Sequence, residues 1–308
     1  MKQISKKRLY TDFNLLNTPA ASIELGEVFE IETELCSGAW LTSQDIKWNK
    51  ELERDVEANL VNCVEIKGAK RGDVLAVNII DIKPGSLGYT GLEGPSTYPF
   101  PKNIMGDKYT DTNVIISKIQ DETASFKNGL SLKIKPMIGC IGCASDIPFS
   151  SQDKDDFGGN MDINEIRKGC TVYIPVRAPK ALFHIGDVHA LQGDGEINGW
   201  GIECAAKVIL RVDIAEGNQN MRCLRIENSS YYMAVATGTD MEKACYKATR
   251  EILNWLCDMT GANPHDVYIM MALNIELSIS QCVVPESPVI ICKFPKAQLI
   301  GIEHFLDP

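Results

Sequence analysis

The residues able to do chemistry crowd into one stretch, FGGNMDINEIRKGCTVYIPVRAPKALFHIGDVHALQGDGEINGWGIE, which runs from Phe157 to Glu203. It holds Asn160, Asp162, Asp187, His189, Asp194, Glu196 and Glu203, and with His184 it carries two of the protein's 4 histidines. Asn160 and Asp162 are two residues apart, as are Asp187 and His189, and Asp194 and Glu196. In an extended segment such residues point to one face, so each pair can present two polar groups to a common cleft. Gly158, Gly159, Gly186, Gly193 and Gly195 suit turns or close backbone approach to a ligand. An imidazole with two or three carboxylates is a donor set for a zinc-like ion that keeps one position for water. Such an ion drives its water toward ionisation near neutral pH and polarises a carbonyl.

The plain alternative is a set of polar turns in a β protein, since Asp-Gly pairs such as Asp194-Gly195 close hairpins. The density of acids, amide and imidazole between the apolar strands TVYIPV and KVILRV weighs against it. Other chemistries lack their motifs. No G-x-S-x-G elbow, Ser-Ser-Lys pattern, Walker loop or G-x-G-x-x-G after a strand is present. The stretch Gly193-Asp194-Gly195-Glu196 is too short for an EF-hand loop. Cys140 and Cys143 form a C-x-x-C with no second pair nearby to complete a zinc site, and they read as core.

GGNMD, the PV followed by ALFHIGDVHALQGDGE, and the trailing GIE resemble the signature of the acetamidase/formamidase family of amide hydrolases. That family is unrelated to the nitrilase-type and Ser-Ser-Lys amidases. The resemblance extends over most of the chain, including PMIGCIGCA at Pro136 to Ala144 and LSISQ at Leu277 to Gln281. It implies hydrolysis of a small aliphatic amide, formamide- or acetamide-like, to carboxylate and ammonia. It also implies a homodimer or larger homo-oligomer. In that reading His189, Asp162 and Glu196 hold a divalent metal, zinc first. Asp187, Asp194, Glu196 and Glu203 supply the general base and orienting acid. Asn160 and the backbone at Gly159 hold the substrate oxygen. The family commonly places an aspartate of the site shortly after a Glu-Thr like Glu32-Thr33, and here Leu35 and Cys36 stand there instead. Cys36 is thus expected in the cleft, as a bystander rather than a ligand or nucleophile. The departure also admits a second reading, a non-catalytic or substrate-shifted member that binds a small polar ligand or metal. The intact GDVHALQGDGE favours the enzyme. His184, five residues before His189, falls on the opposite face of a regular strand and is expected to pack. His265 and His304 read as surface residues.

These groups need elements to position them. Alternating patterns at residues 17–33, 60–82 and 130–143 read as strands, with a solvated hairpin at Lys70 to Asp73. Residues 201–213 read as one strand, with Ile202, Cys204, Ala206 and Val208 on one face and Glu203, Lys207 and Arg211 on the other. Residues 84–111 are rich in Gly, Pro and aromatics and read as a lid or binding loop, in which Tyr89, Tyr98 and Phe100 either close over a substrate or anchor the loop. After residue 236 the period becomes helical. Thr239 with Glu242 matches a capping box, Gly261 ends the helix, and Asn263-Pro264 opens a second. Leu299 to Ile302 closes the chain as a strand. These patterns give a mainly β fold with an α+β C-terminal part, and the family resemblance implies a β-sandwich with a barrel-like region. The expected division is into a β-rich body, 1–236, and a C-terminal α+β subdomain, 237–308.

The chain has 308 residues, a formal net charge of -10 and a pI near 5.0. That balance argues against nucleic acid as a partner, because phosphate binding needs a basic patch. The start has no apolar leader segment, and the longest apolar run, Val267 to Ile275, is well short of the roughly 18 residues of a membrane span. The 11 scattered cysteines then read as reduced thiols in a cytoplasmic protein.

Overall fold

A computed structural model describes residues 1–53, 58–92, 99–106, 112–217, 220–284 and 286–299. In chain order its strands are β1 (Lys2–Ile4), β2 (Asp12–Phe13), β3 (Ser22–Glu24), β4 (Val28–Thr33), β5 (Val61–Lys67), β6 (Val74–Pro84), β7 (Leu87–Leu92), β8 (Asn113–Gln120), β9 (Thr123–Phe126), β10 (Ser131–Lys133) and β11 (Met137–Cys143). They continue as β12 (Phe149–Ser150), β13 (Lys154–Asp155), β14 (Gly158–Asn160), β15 (Thr171–Pro175), β16 (Leu182–His189), β17 (Glu203–Cys204), β18 (Ala206–Ile214), β19 (Leu224–Glu227), β20 (Tyr231–Thr237), β21 (Glu276–Gln281) and β22 (Val289–Pro295). The helices are α1 (Pro99–Met105), α2 (Met241–Thr260) and α3 (Pro264–Asn274).

Two large sheets result. One runs β1-β4-β18-β6-β15-β19-β20-β22-β21, the other β10-β9-β8-β7-β17-β16-β11-β14-β13, with β5 attached to β16 and β3 to β5. The expected mainly β fold holds, as stacked sheets rather than a closed barrel. Phe29, Ile31, Val77 and Val208 of the first sheet meet Val64, Ile138, Phe183 and Ile185 of the second in one continuous core. Burying such side chains supplies the main driving force for the packing.

The sequence patterns mark the strands well but not their partners. β5 and β6 are joined by the turn at Lys70 to Asp73, yet they belong to different sheets, so that turn is a crossover and not a hairpin. The expected strand 201–213 is two strands. β17 pairs β16 and β7 in the second sheet, while β18 pairs β4 and β6 in the first. The chain changes sheets at Ala205. Glu203 is therefore buried, whereas Lys207 and Arg211 stay exposed. The expected loop at 84–111 contains β7, which pairs β8 through Tyr89 and Ile116. Tyr98 lies outside the described residues, and Phe100 sits half-buried in α1.

The C-terminal helices cover the outer face of β19, β20 and β22. Ala244, Ala248, Ile252 and Leu256 of α2 and Val267 of α3 pack on Ala234, Ala236, Ile290 and Phe294. The apolar stripe of α2 is thus consumed inside the chain. The cap is Asp240, whose side chain accepts from Lys243 N, and not Thr239. An aspartate one residue nearer the helix outcompetes the threonine, which donates its hydroxyl to Asp240 instead. Gly261 closes α2 in the left-handed conformation, and Asn263 caps α3 with Pro264 at the first helical position. The first sheet runs across residue 236, since β20 pairs β22 along its whole length. Of the expected closing strand, residues 300–302 lie outside the described residues, as does His304. No helix among the described residues is long and apolar enough to cross a membrane.

Under α2 lies a buried ion pair. Arg225 Nε donates to Glu251 Oε1 at 2.7 Å, both side chains are 1% exposed, and the guanidinium lies 4.9 Å from the ring centroid of Trp255. Removing one partner of such a pair leaves the other charge buried. Glu251→Ala should lower the unfolding free energy by about 3–5 kcal/mol in denaturant titration.

Candidate active site

β16 is central to the second sheet. β11 lies along one edge, and β5 and β17 follow one another along the other. All its residues are buried. Phe183, Ile185 and Val188 all face the intersheet core, so the alternation slips by one at Asp187. Its φ of 55° explains the slip. Asp187 and His189 consequently point together to the outer face of the sheet. The slip also brings His184 to that face, contrary to the expectation for a regular strand. It packs there apart from the cavity, with Nε2 3.1 Å from Asn17 Nδ2 and Nδ1 3.1 Å from Leu182 O. Burial holds its pKa down to about 4. His265 is exposed, as expected.

Asp187 and His189 open into a cavity of about 600 Å³, which Asn160, Asp162, Glu196 and Glu203 also line. Asp162, Asp187, Glu196 and Glu203 are each no more than 5% exposed. Asp162, Asp187 and Glu196 are also three of the five non-glycine residues with positive φ among the described residues. Such backbone costs of order 1–3 kcal/mol each and gathers at functional sites. Gly139 makes the convergence possible. A Cβ there would lie 2.6 Å from both Asp162 Oδ1 and Asp187 Oδ2.

His189 is fixed on every side. Its Nδ1 is 2.7 Å from Gln192 Oε1, and Gln192 Nε2 donates to Asp162 O at 2.8 Å. The second bond fixes the amide orientation, so Nδ1 must carry the proton it donates. Nε2 then faces Asp187 Oδ1 at 3.3 Å and Glu203 Oε2 at 3.0 Å. A bare lone pair there would oppose two carboxylates, so a proton or a cation belongs at that point. Burial disfavours the imidazolium, but Glu203 and Asp187 together hold its pKa well above the usual value. Burial, with Asp187 adding to it, pushes the Asp162 carboxyl up. Burial and Asp162 push Glu196 well above the carboxylate range, and burial raises Glu203 against the opposing pull of His189.

The donor set fits a metal ion. Asp162, His189 and Glu196 offer ligand atoms within 4.8 Å of one another, and so do Cys36, Asp187 and Glu203. Glu203 Oε1 accepts from Gly201 N at 3.0 Å, whereas Oε2 accepts no hydrogen bond despite its contact with His189. An orphaned buried carboxylate oxygen is costly unless a cation faces it.

Not every expected residue is here. Asp194 is exposed and accepts from Asn164 Nδ2 at 2.7 Å, outside the cavity. The segment from Gly193 to Glu196 is a turn rather than a strand, so residues two apart do not share a face. Gly159 sits within β14, paired with Ile141 and Lys154, and does not line the cavity. Cys36 does line it, as expected. Asn59, Lys154, Gln192 and Gln281 line or support the cavity without a role in the sequence reading, and they join the expected Asn160. Asn59 donates to Asp187 Oδ2 at 3.0 Å. Asn160, with its amide nitrogen turned toward the acids, reaches the same oxygen at 3.0 Å. Lys154 donates to Gln281 Oε1 at 2.8 Å, and Gln281 Nε2 reaches Asp162 Oδ2 at 3.4 Å. Gln192, three residues after His189 in the same motif, could have been sought as the partner of Nδ1. Lys154 carries no sequence signal.

Gly201 offers a test of the imidazole position. A Cβ there would lie 2.5 Å from His189 Nδ1. Gly201→Ala should leave the far-ultraviolet circular dichroism native while turnover at the site falls by about 10²-fold, the scale of a 1 Å misplacement. Asp194→Asn should leave turnover at the wild-type level.

The chain is similar to known proteins in sequence and in fold. Residues 152–297 match the model of the Acetamidase/Formamidase family. A candidate formamidase of Schizosaccharomyces pombe is 26% identical over 255 residues, 63% of this chain and 61% of that protein, so the chain spans less than two thirds of that relative's length. The crystal structure of a predicted acetamidase/formamidase from Thermoanaerobacter tengcongensis superposes with a TM-score of 0.86 at 27% identity, covering 98% of this chain and 97% of the other. An acetamidase from Bacillus halodurans gives a TM-score of 0.87 at 25% identity over 97% and 99% of the two chains.

Proposed function

From a chain that carries a domain of the Acetamidase/Formamidase family, we propose hydrolysis of a small aliphatic amide to its carboxylate and ammonia. The observation that carries the proposal is His189 Nε2 facing two buried carboxylates, Asp187 and Glu203, in a cavity that also holds Asp162 and Glu196. Asp162, His189 and Glu196 are the residues that would hold a divalent ion, zinc by donor type. Bound there, the ion would supply Lewis acidity and a water ionised near neutral pH.

The chain's own groups supply the rest. Gln192 holds Nδ1 of His189 and so keeps Nε2 turned into the cavity. Asp187 or Glu203, both against His189, accepts the proton of the attacking water and returns it to the departing nitrogen. The nitrogen leaves as ammonia when the carbonyl carbon–nitrogen bond breaks. The Asn160 amide and the Lys154 ammonium face the cavity and would stabilise the oxygen that gains charge in the tetrahedral intermediate. Burial lowers the pKa of Lys154, while Asp162 and Glu196 pull it up.

A homodimer or larger assembly belongs to the same proposal. Tyr268, Ile269 and Leu273 of α3 and Leu277 and Ile279 of the edge strand β21 are exposed, and contiguous apolar surface favours self-association. Light scattering at micromolar concentration should return more than one chain mass, and a monomer mass would refute the assembly.

The alternative, a member that binds a small polar ligand without turnover, rests on Cys36 at the cavity wall. Ammonia release from formamide, acetamide and propionamide, with and without chelator, separates the two. Chelator should abolish release. His189→Ala should lose bound metal and turnover while remaining folded. Glu196→Gln should lose metal if Glu196 ligates. If Glu196 acts only as base, the variant should keep metal and lose about 10²–10⁴-fold in rate. Wild-type-like turnover in His189→Ala would sink the proposal.

A further inference from the structure

Cys36 is not a bystander in the geometry of the cavity. Its sulfur, an Asp187 oxygen and a Glu203 oxygen lie within 4.8 Å of one another. The segment that carries Cys36 is anchored by aromatic side chains. Trp40 Nε1 donates to Ser37 Oγ at 2.8 Å, Ser37 Oγ is 2.7 Å from Tyr89 Oη, and Tyr89 Oη is 3.4 Å from Cys36 Sγ. Tyr89 is itself wedged between Trp40 and Trp200, with ring centroids at 5.0 and 5.8 Å. The thiol is therefore held at the acids by a rigid wall rather than by a free loop.

Two independent observations say that a ligand belongs there. Glu203 is 2% exposed, and its Oε2, which meets His189 Nε2 at 3.0 Å, loses that donor once Nε2 ligates an ion. The charge balance of the cavity points the same way. Asp162, Asp187, Glu196 and Glu203 put four carboxylates out of water, against which the cavity sets His189 and the mostly buried Lys154, with Lys50 exposed at its wall. One divalent ion at Asp162, His189 and Glu196 leaves Asp187 and Glu203 with only the Lys154 ammonium to offset them once His189 becomes a neutral ligand. Uncompensated charge of that kind is strongly destabilising.

We propose that Cys36, Asp187 and Glu203 form a second cation position, adjoining the first, in which the Cys36 thiolate is a ligand. The assignment rests on the metal-hydrolase reading above. The cysteine sets the ion class. A thiolate favours zinc, cobalt(II) or cadmium over magnesium or calcium, which take oxygen donors. Binding forms a sulfur–metal bond and releases the thiol proton to solvent. Two dications with Lys154 would then balance the four carboxylates and the thiolate. Asp187 and Glu203 also contact His189, so carboxylates shared between neighbouring ions are sterically available, the pattern of two-metal hydrolytic sites.

Cobalt(II) added to the chelator-stripped full chain is the probe, with metal content, the thiolate-to-cobalt absorption band in the near ultraviolet, and thermal unfolding read on each sample. The wild type should bind a second ion and show the band. Cys36→Ser should stay folded, keep the first ion, and lose both the band and the second ion. Cys36→Asp should keep both ions and lose only the band. Cys140→Ser, at the neighbouring thiol 3.4 Å from Asp187 Oδ2, should keep the band. A band that survives Cys36→Ser overturns the proposal, as does cobalt bound by the wild type without any thiolate band. In the latter case, an ion that is still lost in His189→Ala leaves the hydrolase reading standing. Failure of every form to bind an ion defeats both.

Discussion

Four carboxylates held out of water around one imidazole are the constraint on which the rest of the structure turns. Such a cluster does not assemble by hydrophobic burial. Every unpaired charge in it is penalised, and three of its acids sit in a backbone conformation that non-glycine residues avoid. The surrounding chain therefore over-determines it. Gly139 vacates the space where the acids meet, Gly201 vacates the space for the imidazole, and Asn59, Asn160 and Gln192 spend their amide hydrogens on oxygens of the cluster. A fold that concentrates negative charge in this way is organised to receive positive charge.

The two-sheet architecture supplies the rigidity. Glu203 belongs to one sheet and Ala206 to the other, so the chain that presents the carboxylate is tied into both ladders within three residues. The kink at Asp187 lies in a strand paired along both edges, where a backbone outlier cannot relax without breaking hydrogen bonds to β5 or β11. The strain is sustained by the intersheet core, whose side chains pack close to it through Ile185 and Val188.

Much of this was legible in the sequence, and the parts that were not have identifiable causes. The pair Asp187/His189 was found because a period of two survives between those residues, whereas Asn160 and Asp162 converge although Asp162 lies past β14 with a φ of 48°. The same rule misplaced Asp194, which lies in a turn, and His184, which lies across the kink from His189. Glu203 was picked as a site residue but placed on one strand face with Lys207 and Arg211, which continue an alternation that the chain breaks at Ala205. Strand existence was readable from apolar patterning, whereas pairing was not, since β5 and β6 look like a hairpin and part into separate sheets. Lys154 is one lysine among many in sequence, and only tertiary packing brings it to Gln281. The Asp240 cap shows the same limit at small scale, where two adjacent residues both satisfy a capping pattern and geometry chooses between them.

Gln281 lies far along the chain, yet it reaches Asp162, accepts from Lys154, and pairs through its backbone with Gly195. Cys36, which also lines the cavity, comes from the first eighth of the sequence. The cavity is thus closed by contacts between segments separated by most of the chain, the arrangement that slows folding because distant segments must meet before any contact rewards them. During synthesis, the strand carrying Gln281 emerges well after Cys36 and after most strands of both sheets. A nascent chain can lay down most of both sheets without possessing a complete charged pocket, which closes only once β21 has emerged.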